Sequence, residues 1–402
     1  MKITLLLHNA YGIGGTVRTT WNLAAALADH HDVEIVSMLR HRARPRFEVD
    51  PRVRLVPLVD LREGSPDMAD PRLREPAVVF PAAEKRYRQY SRLTDLRAEE
   101  HLRRCAADVI IGTRPGINVY LARFGPRRAL RIAQEHLTHD AHGKRLRGEL
   151  ARRYAELDAV VTTTEADAAV YRARMPLPGV RVLAVPNIVP EPPIPPSDGT
   201  ATVIAAAGRL VRGKRFDLLI DAFAQVSAKY PEWTLRIYGA GPERERLKEL
   251  IGERGLEGQA RLMGARSPIE AEFAQASIVA SASSAESFGM TLAEAMRCGV
   301  PVVSTDCPLG PAEIITPGVD GVLVPVGDGG ALADALLELV SDATARRHMG
   351  QAALVSARRF DPGPIVERYE HLFAELAGDR HVRGWRRHSA RWRRRLRRVL
   401  PR

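Results

Sequence analysis

Short apolar runs alternate with longer segments of helical period almost from end to end of the chain. In the first half, Lys2–Leu7, Val33–Met38, Asp108–Gly112, Ala129–Gln134 and Ala159–Thr163 read as strands. The segments Val17–Asp29, Arg92–Cys105 and Gly143–Leu157 read as helices between them. Strands that are apolar throughout, joined by crossover helices, imply a parallel sheet with helices on both faces. Residues 40–90 are arginine-rich and interrupted by seven prolines, which predicts one strand and a long loop.

Six prolines fall within the 14 residues 186–199, too many for a helix or a central strand. Beyond this stretch the alternation restarts, with strands expected at Thr202–Ala207, Thr234–Tyr238, Ala260–Met263, Ile278–Ser281, Val300–Ser304 and Gly321–Val324. Helices are expected at Phe216–Lys229, Pro242–Ile251, Pro268–Gln275 and Met290–Cys298, then at Gly330–Ser341, Thr344–Arg358 and Pro362–Ala377. The fold expected is α/β, with two Rossmann-like domains facing a cleft. The first covers residues 1–185 and the second 200–361, with 186–199 as a linker, a helix at 362–379 and a basic tail at 380–402. Ligands of such sheets sit at the carboxyl ends of the strands.

The chain has 402 residues and a formal net charge of +12, which alone would suggest a nucleic-acid binder. Eleven of those charges, however, are the arginines between Arg380 and Arg402, where there is no acid, so the body is near neutral. Trp385, Trp392, Leu396 and Leu400 share one face if this tail is helical. A solvated tail, contact with an anionic membrane and contact with nucleic acid all stay open, the last least favoured. The three cysteines, Cys105, Cys298 and Cys307, have neither disulfide nor zinc spacing and fit reduced cytoplasm. No apolar run approaches the roughly 20 residues of a membrane span, so the expected location is cytoplasmic, with the tail as the means of any attachment to the inner face of the plasma membrane.

Three strand-to-helix loops carry candidate chemistry. Gly12-Ile13-Gly14-Gly15 follows the first strand and opens a helix, which brings backbone N–H groups to a phosphate or makes a bare tight turn. Arg209, Arg212, Lys214 and Arg215 crowd around a second helix start, where cations oppose the helix dipole. A bound polyanion would remove the conflict, and a solvated basic loop is the alternative. In the third, Gly289 permits an unusual turn and Met290 opens a helix, leaving the amides of Phe288, Gly289, Met290 and Thr291 to face a phosphate between Glu286 and Glu294.

Glu286 and Glu294 form an E-x7-E pair, and Glu286-Ser287-Phe288-Gly289 its opening. With Gly208-Arg209-Leu210, Lys214, the Gly14-Gly15 loop, and Glu313-Ile314-Ile315 followed by Gly318 and Gly321, this resembles retaining family 4 glycosyltransferases of the GT-B fold. The resemblance implies that Arg209 and Lys214 neutralise a donor diphosphate, that Glu294 holds the nucleotide ribose, and that Glu286 contacts the transferred sugar. It places the nucleobase near Leu262-Met263-Gly264, and Gly14 and Gly15 on the phosphates. It also implies a histidine near the anomeric carbon, assigned to His136 after the strand Ala129–Gln134, with His139 and His142 close by in sequence. A loop histidine that only forms hydrogen bonds is the alternative for His136.

The implied reaction is transfer with retention, in which the departing phosphate accepts the acceptor's proton. No metal or other cofactor is expected, since the 21 aspartates contain no D-x-D pair. The expected partners are a UDP-sugar donor and a lipid-linked or envelope polymer acceptor, contacted by loops in 40–90 and 112–118. The competing reading is a non-catalytic protein of the same fold that binds nucleotide sugars or anionic lipids.

Overall fold

The computed structural model describes residues 1–378. The tail at 380–402, and with it the expectation of a Trp/Arg-rich amphipathic helix, lies outside the described residues. The chain divides into two compact units, Met1–Ile188 with the segment from Pro362 onward, and Val189–Asp361.

The first unit holds seven strands, β1 (Lys2–Leu7), β2 (Asp32–Arg40), β3 (Arg54–Asp60), β4 (Val109–Gly112), β5 (Leu130–Glu135), β6 (Ala159–Thr162) and β7 (Arg181–Ala184). They pair in the order β3-β2-β1-β4-β5-β6-β7, every pair parallel. Its helices are α1 (Gly15–Leu27), α2 (Pro66–Ala69), α3 (Arg92–Arg104), α4 (Pro115–Phe124), α5 (Lys144–Tyr154) and α6 (Glu165–Arg174). Residues 40–90 contain the expected strand, β3. Its Pro57 is tolerated because β3 is an edge strand and its missing N–H breaks no ladder on the open side.

Several elements depart from the sequence expectation. Residues 115–124, the first four of which were expected as loop, form α4; all but Arg123 of its side chains are buried, so it shows no polar face for a periodicity to reveal. Helix α6 and strand β7 were also absent from the pattern. The strand is four residues long, and β7 borders the sheet with Arg181 exposed.

The second unit repeats the arrangement with six strands, β8 (Val203–Ala207), β9 (Thr234–Tyr238), β10 (Ala260–Gly264), β11 (Ile278–Ser281), β12 (Val302–Thr305) and β13 (Gly321–Val324). The order is β10-β9-β8-β11-β12-β13, again all parallel. Its helices are α7 (Phe216–Lys229), α8 (Arg244–Glu253), α9 (Glu270–Phe273), α10 (Met290–Arg297), α11 (Pro311–Ile314), α12 (Gly329–Ser341) and α13 (Ala343–Ser356). In both sheets the order reverses at one point, between β1 and β4 and between β8 and β11. Loops leaving the carboxyl ends of those strand pairs diverge there, the usual place for a ligand.

Helix α14 (Pro362–Gly378) belongs to the first unit. Its buried face, Ile365, Val366, Tyr369, Leu372, Phe373 and Leu376, joins one core with Ile3, Leu5, Leu7, Trp21 and Leu27 of β1 and α1. Tyr369 Oη accepts a hydrogen bond from Gln134 Nε2 of β5 at 2.7 Å. Phe373 is 1% exposed, so replacing it leaves a cavity the helix cannot close. Phe373→Ala is expected to destabilise the first unit by about 3–5 kcal/mol, read as a lower denaturant midpoint by circular dichroism.

Candidate active site

The loop after β8 and the loop after β11 meet where the second sheet reverses. A short turn, Arg212–Lys214, and the left-handed Arg215 (φ 49°) lead into α7. Ser284 N donates to Gly213 O at 2.9 Å, and Ser284 Oγ donates to the same carbonyl at 3.1 Å, tying the two loops together. Across this tie the Lys214 ammonium pairs with the Glu286 carboxylate. Ser283 Oγ also donates to Glu286 Oε1, at 2.7 Å. The main chain of Glu286 is fixed as well: its N–H donates to Pro308 O at 3.0 Å and its carbonyl accepts from Leu309 N at 2.9 Å. Beside the pair, the buried Cys307 thiol is pushed up to about 11 by burial and by the Glu286 charge, so it stays a thiol at neutral pH.

The four cations at the start of α7 fare differently. Arg215 Nε donates to Asp217 Oδ1 at 3.1 Å in the first turn, which offsets the conflict with the helix dipole. Arg212 lies 3.7 Å from Glu243 while remaining largely exposed. Arg209 is exposed and pairs with no carboxylate among the described residues.

Gly289 is the N-cap of α10 with φ 107°, a conformation that glycine adopts without strain. The first-turn amides of α10, Met290 and Thr291, therefore have no helical carbonyl behind them. Phe288 is anchored behind this turn, its ring edge-on to Phe360 at 5.4 Å between centres. Glu294 is buried on α10, one turn in from that end. Met263 stands half-buried near the end of β10, followed by Gly264, whose carbonyl accepts from Gly239 N at 2.9 Å.

Sequence reasoning missed the glycines that let these loops touch. A Cβ on Gly239 would lie 1.8 Å from Gly208 O, on Gly241 2.3 Å from Leu210 O, and on Gly310 1.9 Å from Phe288 O. The Gly239-Ala240-Gly241-Pro242 turn at a strand end was the available signal for the first two. Gly310 gave none, because its partner is 22 residues away in sequence.

The remaining assigned residues stand in the first unit. Gly14 caps α1 and Gly15 begins it; both are exposed. His136 follows β5, half-buried, with Nε2 3.1 Å from Gln134 Oε1. Burial alone pushes its pKa down to about 4, so the ring is neutral at pH 7. The two neighbouring histidines are buried and engaged with carboxylates: His139 Nδ1 lies 2.9 Å from Asp140 Oδ1, and His142 Nε2 lies 3.5 Å from Glu135 Oε2. Glu135 also accepts from Tyr154 Oη and, at 3.2 Å, from Asn118 Nδ2. Asp167 of α6 holds the His139 N–H at 3.0 Å and so fixes the loop that carries His136.

Residues 13–191 match the Glycosyltransferase Family 4 model and residues 190–355 the Glycosyl transferases group 1 model. The chain belongs to these glycosyltransferases. Among relatives, it is 35% identical over 390 residues to an exopolysaccharide phosphotransferase of Streptomyces coelicolor, covering 94% of this chain and 41% of that protein. The chain thus spans about two fifths of that relative's length. Among solved structures it resembles S. aureus TarM in a complex with UDP, α-GlcNAc-glycerol and fondaparinux, with a TM-score of 0.75 and 16% identity over 92% of this chain and 99% of that one. Sucrose-phosphate synthase of Thermosynechococcus elongatus gives 0.76 and 18% over 94% and 99%. These likenesses show the GT-B fold of the glycosyltransferases. Among the described residues no helix is long and apolar enough to cross a membrane.

Two outcomes test this geometry. Gly310→Ala has an allowed φ but no room, so it should displace the Glu286–Gly289 loop and lower stability by about 1–3 kcal/mol in thermal unfolding. Asp167 is pushed up to about 6, first by burial and then by Glu135 despite the His139 N–H. A raised carboxyl pKa stabilises the fold below the unfolded value and loses that contribution as pH rises through about 6. Asp167→Asn keeps the acceptor oxygen without the charge. It should therefore raise stability at pH 7.5 by about 1–3 kcal/mol, and the gain should vanish near pH 4.

Proposed function

We propose that the protein is a retaining glycosyltransferase that moves a sugar from a UDP-sugar to an acceptor associated with the membrane or the cell envelope. The observation that carries this reading is the Lys214–Glu286 pair, set at the reversal point of the second sheet near the open N-terminus of α10. The UDP in the TarM complex supports the choice of base for the donor.

In this reading the amides around Phe288, Gly289, Met290 and Thr291, with Arg209 and Lys214, take the diphosphate. A phosphate drawing the ammonium of Lys214 toward it weakens the ion pair and frees Glu286 to accept a hydrogen bond from a sugar hydroxyl. Glu294 holds the ribose and Met263 lies by the base. In the first unit, Gly14, Gly15 and the neutral His136 remain the residues that the family resemblance assigns to phosphates and sugar. The bond from the anomeric carbon to the phosphate oxygen breaks with both electrons going to that oxygen. The acceptor oxygen bonds to the same face of the carbon, and its proton passes to the departing phosphate. The cations offset the charge that grows on the leaving group, and no metal or other cofactor takes part. Residues 380–402 would bring the enzyme to an anionic membrane surface through arginines and two tryptophans.

The test combines binding with turnover. UDP-sugars should raise the melting temperature, by an amount set by concentration over Kd. Lys214→Ala and Glu286→Ala should each lower donor hydrolysis and transfer by at least about a hundredfold. A wild-type protein that binds UDP-sugars but turns none over would favour the binding-protein reading.

A further inference from the structure

The first sheet also has a reversal point, and a surplus of arginine surrounds it. Arg114, just after β4, grips the buried Glu84 through Nη2 at 2.6 Å and Nε at 3.1 Å. Arg86 Nη1 donates to Gln89 Oε1 at 3.0 Å and lies 3.3 Å from Nε2 of His8, the residue that follows β1. His8 Nδ1 is 2.8 Å from Tyr90 Oη. Next to it, Asn9 Nδ2 reaches His41 Nδ1 at 2.5 Å, and His41 Nε2 accepts from Arg42 Nε at 3.1 Å. Arg40, ending β2, places its guanidinium 5.4 Å from the centre of the Tyr11 ring and shares Asp60 with Arg62, at 3.8 and 2.6 Å.

Five guanidinium groups thus gather along the carboxyl edge of β1 to β4, where Glu84 pairs with Arg114 and Asp60 with Arg40 and Arg62. Arg42 is exposed and pairs with no carboxylate among the described residues. The two histidines register the resulting field. His8 is pushed down to about 3 by burial and by Arg86 and Arg114, and His41 is lowered by burial and Arg42. Both rings are neutral at pH 7, so they supply hydrogen bonds and no charge.

The cations are all arginines, whose planar forks match the paired oxygens of a phosphate or a carboxylate. A neutral polyol would be no better bound for such a surplus. The two tyrosines of the cluster, Tyr11 and Tyr90, are 3% and 4% exposed, so neither offers a face on which a nucleic-acid base could stack.

We propose that this edge binds a polyanionic glycan, gripping its phosphodiester or carboxylate groups with Arg42, Arg62 and Arg86. Calling that glycan the acceptor rests on the glycosyltransferase reading; the binding does not.

The experiment uses the full chain with fluorescent poly(glycerol phosphate) and poly(glucuronate) oligomers, followed by anisotropy at two salt concentrations. Neutral dextran and oligothymidylate serve as controls. At least one anionic glycan should bind, and more weakly at higher salt. Binding of the first alone identifies phosphate as the group recognised, and of the second alone, carboxylate. Arg42→Glu should weaken the interaction by about fivefold to tenfold and reduce the salt dependence by about one counterion, while Arg42→Lys keeps most of the affinity. UDP affinity, measured in parallel, should be the same in all three proteins. The proposal is overturned if neither anionic glycan binds, if dextran or oligothymidylate binds as tightly, or if Arg42→Glu changes nothing. Failure to bind UDP with the glycan still bound would sink the donor reading alone.

Discussion

An ammonium and a carboxylate held together at the point where a parallel sheet reverses its strand order organise the second unit. Lys214 and Glu286 come from loops that leave adjacent strands in diverging directions, and their attraction, with the Ser284–Gly213 bonds, closes the gap between those loops. Everything nearby serves to keep that pair in place. Glycines remove the side chains that would keep the loops apart, and the main chain of Glu286 is bonded on both sides. The same arrangement leaves the pair exchangeable, because each partner is only partly withdrawn from water and a stronger anion can compete for the lysine.

The first unit shows what the same topology does with a different set of side chains. Its reversal point gathers arginine and histidine, where the second is centred on a lysine–glutamate pair. Behind it, the loop after β5 is held by buried carboxylates, Glu135 on His142 and Asp167 on the His139 N–H, which leave His136 as the most accessible of the three histidines. Carboxylates are thus buried beneath the loop, and its rim presents a neutral imidazole.

Much of this was legible in the chain because the signals were local. Helix α7 begins and ends where its period predicts, at Phe216 and Lys229, and α10 starts at Met290 because Gly289 stops any earlier turn. The E-x7-E spacing similarly singles out Glu286 and Glu294, which flank a helix start within one short stretch of sequence. What was hidden depended on partners distant in sequence or on the absence of contrast. Helix α4 is buried on nearly every side, so it had no polar stripe, and β7 is short with an exposed end. The approach of Gly310 to the Phe288 carbonyl, the Gln134–Tyr369 bond, and the grouping of His8, Arg42 and Arg86 all join segments that only the fold brings together.

Helix α14 gives the chain a particular order of assembly. The second unit is one uninterrupted stretch, whereas the core beneath β1 and α1 is finished by side chains from Ile365 to Leu376. As the polypeptide emerges from the ribosome, Trp21 and Leu27 must wait uncovered until nearly 350 further residues have been made. The later-made unit has all its own pieces sooner. Maturation of the earlier lobe is therefore completed by translation of α14, and a ribosome that stalls or terminates before it releases a protein with one finished half and one exposed apolar face.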